Sequence, residues 1–272
     1  MSTVSENQSK DGEANFKRLI EIGIALSAER SNARLMERIL LEAKDMCNAD
    51  GGTLYLNTEE NQLRFTIMRT DSLGIAMGGT TGKEIPIPPL NLCDPETGKP
   101  NVKNIAAYTA NEKHLTNIPD AYDSTKFDFS GAKAFDKAND YRTTSVLAVP
   151  LLNNNQDVIG VLQLLNAQDK ETGEVIPFDE QIVPLIEALT SQAAVALENA
   201  LLLEAQKKLF RSFINLISSA IDAKSPYTGG HCQRVPELTM MMVDAATEVT
   251  TGPFADYSLT PEKREEIEIA AA

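Results

Sequence analysis

Residues 143–168 read TTSVLAVPLLNNNQDVIGVLQLLNAQ, and this stretch constrains the fold more than any other. Two apolar, β-branched runs flank the turn-forming NNNQD. The connection is too short for a crossover, so the two runs must pair antiparallel. Both are apolar over most of their length, which is the pattern of central strands buried on both faces. The chain is therefore expected to contain an antiparallel sheet with this hairpin at its middle and helices around it.

The flanking sequence supplies the other layers. Phe16, Leu19, Ile20, Gly23 and Leu26 recur at helical spacing, SAERSNARL interrupts them, and Ser31 is placed to cap a second helix. Leu35, Ile39, Leu40, Ala43 and Met46 continue the stripe until ADGG (49–52) stops it. GTLYLN (52–57) and QLRFTIMR (62–69) read as a hairpin around TEEN. A short strand is expected at EIPI (84–87), a helix at 104–112, a strand at HLTNIPD stopped by Pro119, and a helix at 130–140.

From about Asp179 to Lys224 the pattern becomes one long helix, with Pro184 tolerated near its start. Ile186, Ala193, Ala200, Lys207, Ile214 and Ile221 form one heptad set. Ile182, Leu189, Ala196, Leu203, Phe210 and Ile217 form the other, and only Lys207 is not apolar. A seam this regular reads as a coiled coil, and a helix of roughly 70 Å outruns a domain. Its far half is expected to need a partner, most simply a second copy. After KSPYTGG come an apolar helical stretch (231–248), a loop, and a fresh helix start with Thr260 as cap and Pro261 at the first position. That last helix stops in mid-pattern at Ala272.

Composition narrows the class. A net charge of −14 disfavours nucleic acid and anionic lipid as partners. No apolar run reaches the ~18 residues of a membrane helix, and the polar N-terminus does not resemble a signal peptide. Cys47, Cys93 and Cys232 form neither a CxxC nor a disulfide framework. These features lead to an expectation of a cytoplasmic protein that uses neither nucleic acid nor membrane.

On TTSVLAVPLLNNNQDVIGVLQLLNAQDKETGEVIPFDE (143–180), with NIPDAYDSTKFDF (117–129) before it, residues 16–190 resemble a GAF domain. The resemblance implies an α+β fold: a central antiparallel sheet flanked by helices, with a small-molecule pocket over one face. Cyclic-nucleotide-binding members carry Asn-Lys, Phe, three residues and Asp-Glu. Asn166, Asp179 and Glu180 match that motif. The Lys position is Ala167 and the Phe position falls on Val175, so the Lys–Asp ion pair that braces the family's pocket is missing. The other candidates for the pocket are Tyr108, Thr109, Asp120, Tyr122, Phe127, Asp128 and Arg142, which combine aromatic walls with a few polar groups. Arg142 offers a fork of donors to a phosphate or carboxylate.

AIDAKSPYTGGHCQRV, and the segment 214–272 around it, resembles the opening of an HD-GYP domain. Members of that family hydrolyse cyclic di-GMP with two or three divalent metal ions, and the match makes His231 a metal ligand in an intact domain. The following His-Asp pair and the Gly-Tyr-Pro motif are not among these residues. One histidine does not hold a catalytic metal, so no cofactor and no catalytic residue is expected within the chain itself. Pro236 departs from the family helix.

The expected organisation is a flexible tail (1–15), a GAF domain (16–178), a signalling and dimerising helix (179–224) and a truncated all-α HD-type start (225–272). The expected function is sensing. A small ligand, either a cyclic nucleotide or a metabolite, acts through a homodimeric helix on a downstream cyclic di-GMP phosphodiesterase. Two alternatives stand beside it: a structural dimerisation module with an empty pocket, and a phosphohydrolase if the chain continues past residue 272.

Overall fold

The 143–168 hairpin forms two of the inner strands of a wholly antiparallel sheet. The computed structural model describes residues 17–224 and 230–271. The strands are β1 (Ala49–Asn57), β2 (Gln62–Thr70), β3 (Ile75–Gly78), β4 (Leu90–Asn91), β5 (Thr116–Ile118), β6 (Val146–Leu152), β7 (Val158–Gln168) and β8 (Val175–Ile176). Their order is β3-β2-β1-β7-β6-β5, with β4 on β2 and β8 on β7. Around them lie α1 (residues 17–28), α2 (Asn32–Cys47), α3 (Ile105–Glu112), α4 (Ser130–Asn139), α5 (Val183–Lys224), α6 (His231–Thr247) and α7 (Pro261–Ala271). None of the described helices is long and apolar enough to cross a membrane.

Pro150 sits inside β6, where a proline would normally break a ladder. Asn166 N–H donates to the Ser145 carbonyl, so the odd positions of β6 face β7 and Pro150 faces the other way. On that side β5 pairs only as far as Ala148. The missing N–H therefore falls just past the end of its neighbour.

The sheet divides the core in two. On one face Leu54, Leu147, Leu151, Leu162 and Leu164 meet α1, α2 and the first part of α5. Each of these five leucines is fully buried, and burial of such a side chain stabilises by roughly 1.5–3 kcal/mol. On the other face Tyr55, Leu63, Val146, Ala148 and Val161 meet α3 and the chain around Ala121–Phe129. Alternation along β1 and β6 assigns the faces. An extra residue in β7 at Ile159, opposite Leu151/Leu152, restores the phase there.

Several junctions follow the expected chemistry. The Ser31 hydroxyl caps α2 by accepting from Arg34 N–H at 3.4 Å. Asn104 caps α3 through Ala107 N–H at 3.1 Å. Thr260 caps α7 through Lys263 N–H at 3.3 Å. Asp-X-Glu-Thr-Gly occurs twice, at 94–98 and 169–173, and builds the same turn each time. Asp94 Oδ1 accepts from Glu96 N–H, Thr97 N–H and the Thr97 hydroxyl, and Asp169 Oδ1 does the same with Glu171 and Thr172.

The structure also departs from expectation. EIPI (84–87) is not a strand, because Pro86, Pro88 and Pro89 leave few donors for a ladder. The short β3, β4 and β8 occur where no strand was expected. ADGG does not follow the helix as a stop. Asn48 closes α2 in the left-handed region at φ 48°, and Ala49 already belongs to β1. In α1 the buried stripe is Leu19, Ile22 and Leu26, while Ile20 is exposed.

The seam of α5 also behaves differently in its two parts. Ile186, Leu189 and Ala193 are fully buried against the sheet and α2 of their own domain, with Ile182, Ala196 and Ala200 beside them. These positions serve the domain core rather than a coiled coil. By contrast Leu203, Phe210, Ile217 and Ile221 are exposed. Residues through Leu201 form one compact unit, and those from Leu202 form a second. Within the second unit, Lys207 and Arg211 both bond Glu265 of α7, at 2.8 and 3.1 Å, and Arg264 pairs with Asp244 of α6. The 1–15 tail lies outside the described residues.

Candidate functional site

The two faces of the sheet are not equally sealed. Leu162 and Leu164 of the inner strand β7 are fully buried on the helix-covered face. Gln163 and Leu165, on the opposite face of the same strand, are only half-buried. On that face Thr53, Tyr55, Ala148 and Val161 are buried, so solvent access is confined to the surroundings of Gln163 and Leu165. Register places Thr53 beside Gln163 and Met68 beside Thr53, with Ala148 on the far side of Gln163. Tyr55 and Phe65 form the next row, with ring centroids 4.7 Å apart. The floor is therefore apolar with one polar group of three: Thr53, Tyr55 and Gln163.

Tyr55 is buried, and burial pushes its phenol well above the usual range. The phenol donates to Gln163 Oε1 at 3.5 Å. None of these three residues was singled out from the sequence. The available signal was a tyrosine and a glutamine at inward positions of otherwise apolar strands.

The residues expected to line the pocket form the rim of this face in separate groups. Tyr108 of α3 packs edge-on against buried Phe127 at 5.1 Å, and Lys126 Nζ donates to its hydroxyl at 2.8 Å. Thr109 is fully buried and bonds Thr116 Oγ1 at 3.0 Å, so it fastens α3 to β5 rather than facing a ligand. Asp120, Tyr122 and Arg142 do come together. Arg142 donates to Asp120 Oδ2 at 3.0 Å, and its guanidinium stands 4.4 Å from the Tyr122 ring centre. Asp120 also accepts from Tyr122 N–H at 2.8 Å. That bond first, and Arg142 after it, hold the Asp120 carboxyl below the usual range. Asp128 is exposed and accepts from Ser130 N–H at 2.9 Å, at the head of α4.

The three motif residues separate. Asn166 is buried in the left-handed region at φ 54°. Its Oδ1 accepts from Thr144 N–H at 2.7 Å, and its Nδ2 donates to Tyr141 Oη at 2.9 Å and to the Arg142 carbonyl at 2.7 Å. Asn166 thus fastens the 141–144 segment that carries Arg142. Tyr141 continues the network to buried Asp50, which Ser72 also holds through its N–H and hydroxyl. Burial first, and Asp50 second, push the Tyr141 phenol up. Asp179 accepts from Gln181 N–H at 2.9 Å ahead of α5, and exposed Glu180 follows it. Ala167 is buried where the brace lysine would stand, and Phe178 rather than Val175 enters the core. The side chain of His231 lies outside the described residues.

The buried Asp136 was not anticipated either. It accepts from Thr143 N–H at 2.7 Å, from the Thr143 hydroxyl at 3.0 Å and from Tyr122 Oη at 3.0 Å. Asp136 and Asn166 hold adjacent points of one short segment. The rim is therefore prearranged rather than loose.

Comparison with known proteins agrees with this architecture. Residues 32–197 match the GAF domain family. Over 200 residues the chain is 26% identical to a cGMP-specific 3',5'-cyclic phosphodiesterase of Drosophila mojavensis, a stretch that is 70% of this chain but only 16% of that protein. The GAF domain of a phosphoenolpyruvate-protein phosphotransferase from Coxiella burnetii is similar in fold, with a TM-score of 0.51 at 12% identity over 70% of this chain and 96% of that one. The corresponding Acinetobacter domain has a TM-score of 0.50 at 14% identity, covering 71% and 98%. With the sheet order, the two-faced core and the family match over most of the first unit, this chain belongs to the GAF domain family.

Proposed function

We propose that this chain is a signal-sensing regulatory module in which a small ligand occupies the open sheet face and α5 carries the occupancy onward. One observation carries this reading: β7 presents half-buried Gln163 and Leu165 to the open face and fully buried Leu162 and Leu164 to the side where α5 packs. A shift of that strand acts on both faces at once. The similarity to a cGMP-specific phosphodiesterase supports a cyclic mononucleotide as a ligand class, beside small metabolites. The missing brace at Ala167 means that such a ligand would be held by the floor and rim of this chain rather than by the family's ion pair.

The domain order in this reading is GAF over 16–178, a helix over 179–224 that dimerises, and the start of an HD-GYP phosphodiesterase over 225–272. The exposed Leu203, Phe210 and Ile217 support the dimer; light scattering that found a monomer at micromolar concentration would remove that part. His231 would be one ligand of the divalent metals in a complete HD-GYP domain. Among the described residues no three His, Cys, Asp or Glu side chains converge, so metal chemistry requires ligands additional to this set.

The test is thermal. A ligand at 100 times its dissociation constant stabilises by ~2.7 kcal/mol, and each kcal/mol raises Tm by roughly 2–4 °C at this size. Cyclic GMP, cyclic AMP, cyclic di-GMP and a metabolite panel are each added to the purified chain. A rise of several degrees with one compound supports the reading, and no rise with any of them contradicts it.

A further inference from the structure

The second half of α5 carries two seams at heptad spacing, and α7 occupies one of them. Lys207, Arg211, Ile214 and Ser218 follow one another at steps of four, three and four residues, so they share a side of the helix. Lys207 Nζ donates to Glu265 Oε2 at 2.8 Å, and Arg211 donates to Glu265 Oε1 at 3.1 Å and stands 3.8 Å from Glu268. Ile214 and Ser218 on the same side are half-buried. A partner helix that packed on Lys207 and Ile214 would have to displace α7. Leu202, Gln206, Leu209, Phe213, Leu216 and Ala220 form the other seam, with the same alternation of four and three, and all six are exposed. Leu203, Phe210 and Ile217 border it. The four large side chains of the seam are 59–73% exposed and the three bordering ones 44–55%. Together they offer roughly 800 Å² per copy, the share that one partner buries in an interface of standard size. The largest apolar patch of an ordinary monomer is about 300–600 Å². The strip fits a copy of itself, because leucines every seven residues with one polar member, Gln206, are what two equal helices in register present to each other. A lipid surface fits less well: the chain carries a net charge of −14, and Lys207 and Arg211 already serve Glu265.

We infer that α5 docks on the α5 of a second copy through the seam of Leu202, Leu209, Phe213 and Leu216, and not through the side that holds Lys207, Ile214 and Ile221. The inference rests on the dimer in the reading above and deepens it by naming the face that forms it. The heptad that is most regular in sequence is therefore not the one that pairs in this half of the helix. The two copies meet without unpacking α7 from either.

The experiment measures the molar mass and dimer dissociation constant of the whole chain by analytical ultracentrifugation, for the wild type, Leu209→Glu and Ile221→Glu. Leu209 and Ile221 are both exposed, so neither substitution opens a core, and circular dichroism and Tm recorded for each variant confirm that the fold is kept. The wild type is expected to be a dimer at micromolar concentration. Leu209→Glu sets two carboxylates against each other in the seam and should weaken the dimer by about a hundredfold or more. Ile221→Glu lies outside the seam and should leave the dissociation constant within about threefold, the scale of a rim charge. A dimer that survives Leu209→Glu and is lost in Ile221→Glu overturns the inference and leaves the dimer standing. Loss in both variants, or in neither, also overturns the choice of face. A monomeric wild type removes the dimer and the inference together, while the thermal test of ligand sensing stands apart from both.

Discussion

Asn166 Nδ2 donates to Tyr141 Oη at 2.9 Å, and Tyr141 donates in turn to Asp50 Oδ2 at 2.7 Å. This bond ties the end of β7 to the segment that leads into β6 and, through Asp50, to the start of β1. Asn166 serves two further partners, Thr144 N–H and the Arg142 carbonyl. A residue that matches a ligand-site motif in sequence is thus a structural latch for the rim.

Asn166→Ala should therefore destabilise the domain by about 3 kcal/mol, since it strands buried donors and acceptors. Asn166→Asp keeps the acceptor for Thr144 but turns the other oxygen on the Arg142 carbonyl. Its deficit should be larger at neutral pH than at acidic pH, where the carboxyl regains a proton to donate. Urea unfolding at pH 4.5 and pH 7.5 measures both. Wild-type stability in Asn166→Ala would remove the latch.

Two glycines test packing against neighbours of different stiffness. A Cβ on Gly160 would stand 2.3 Å from the Tyr55 carbonyl, which is backbone of the paired strand. A Cβ on Gly23 would stand 2.0 Å from Gln192 Oε1, the mobile end of a side chain on α5. Gly160→Ala should cost about 1–3 kcal/mol as overpacking. Gly23→Ala should cost little, because Gln192 can turn away and alanine favours the helix. Chemical denaturation of both variants decides, and the reverse order would contradict the β1–β7 register.

The Asp120 carboxyl is held below its ordinary value by Tyr122 N–H first and Arg142 second. A carboxyl depressed in the folded state contributes stability that is present above its unfolded pKa, about 3.9. That contribution is lost as pH falls through the lower folded value. Arg142→Ala should move the titration midpoint of Asp120 upward but leave it below the ordinary value, because the N–H bond remains. Carbon-detected NMR titration of the side-chain carboxyl reads this directly. A midpoint fully restored to the ordinary value would show that Arg142 alone is responsible.

The central hairpin was legible because 143–168 offers only one pairing that buries both runs. The caps at Ser31 and Thr260 were legible because the chemistry is local. The role of Asn166 was not, since its partners at 141, 142 and 144 are brought near only by the β6–β7 pairing. The floor was not legible either. Thr53 and Tyr55 lie on β1 and Gln163 on β7, and only register makes them neighbours. The heptad of α5 is legible as apolar and helical. However, a seam cannot say whether its partner is another chain or its own sheet, and here Ile186, Leu189 and Ala193 took the sheet.

Hydrogen exchange with and without saturating cyclic GMP tests the central claim most directly, that one strand couples the open face to α5. The account predicts slower exchange in β7, across 158–168, together with slower exchange in residues 183–201 of α5. Protection confined to the loops at 71–89, with β7 and α5 unchanged, would contradict it.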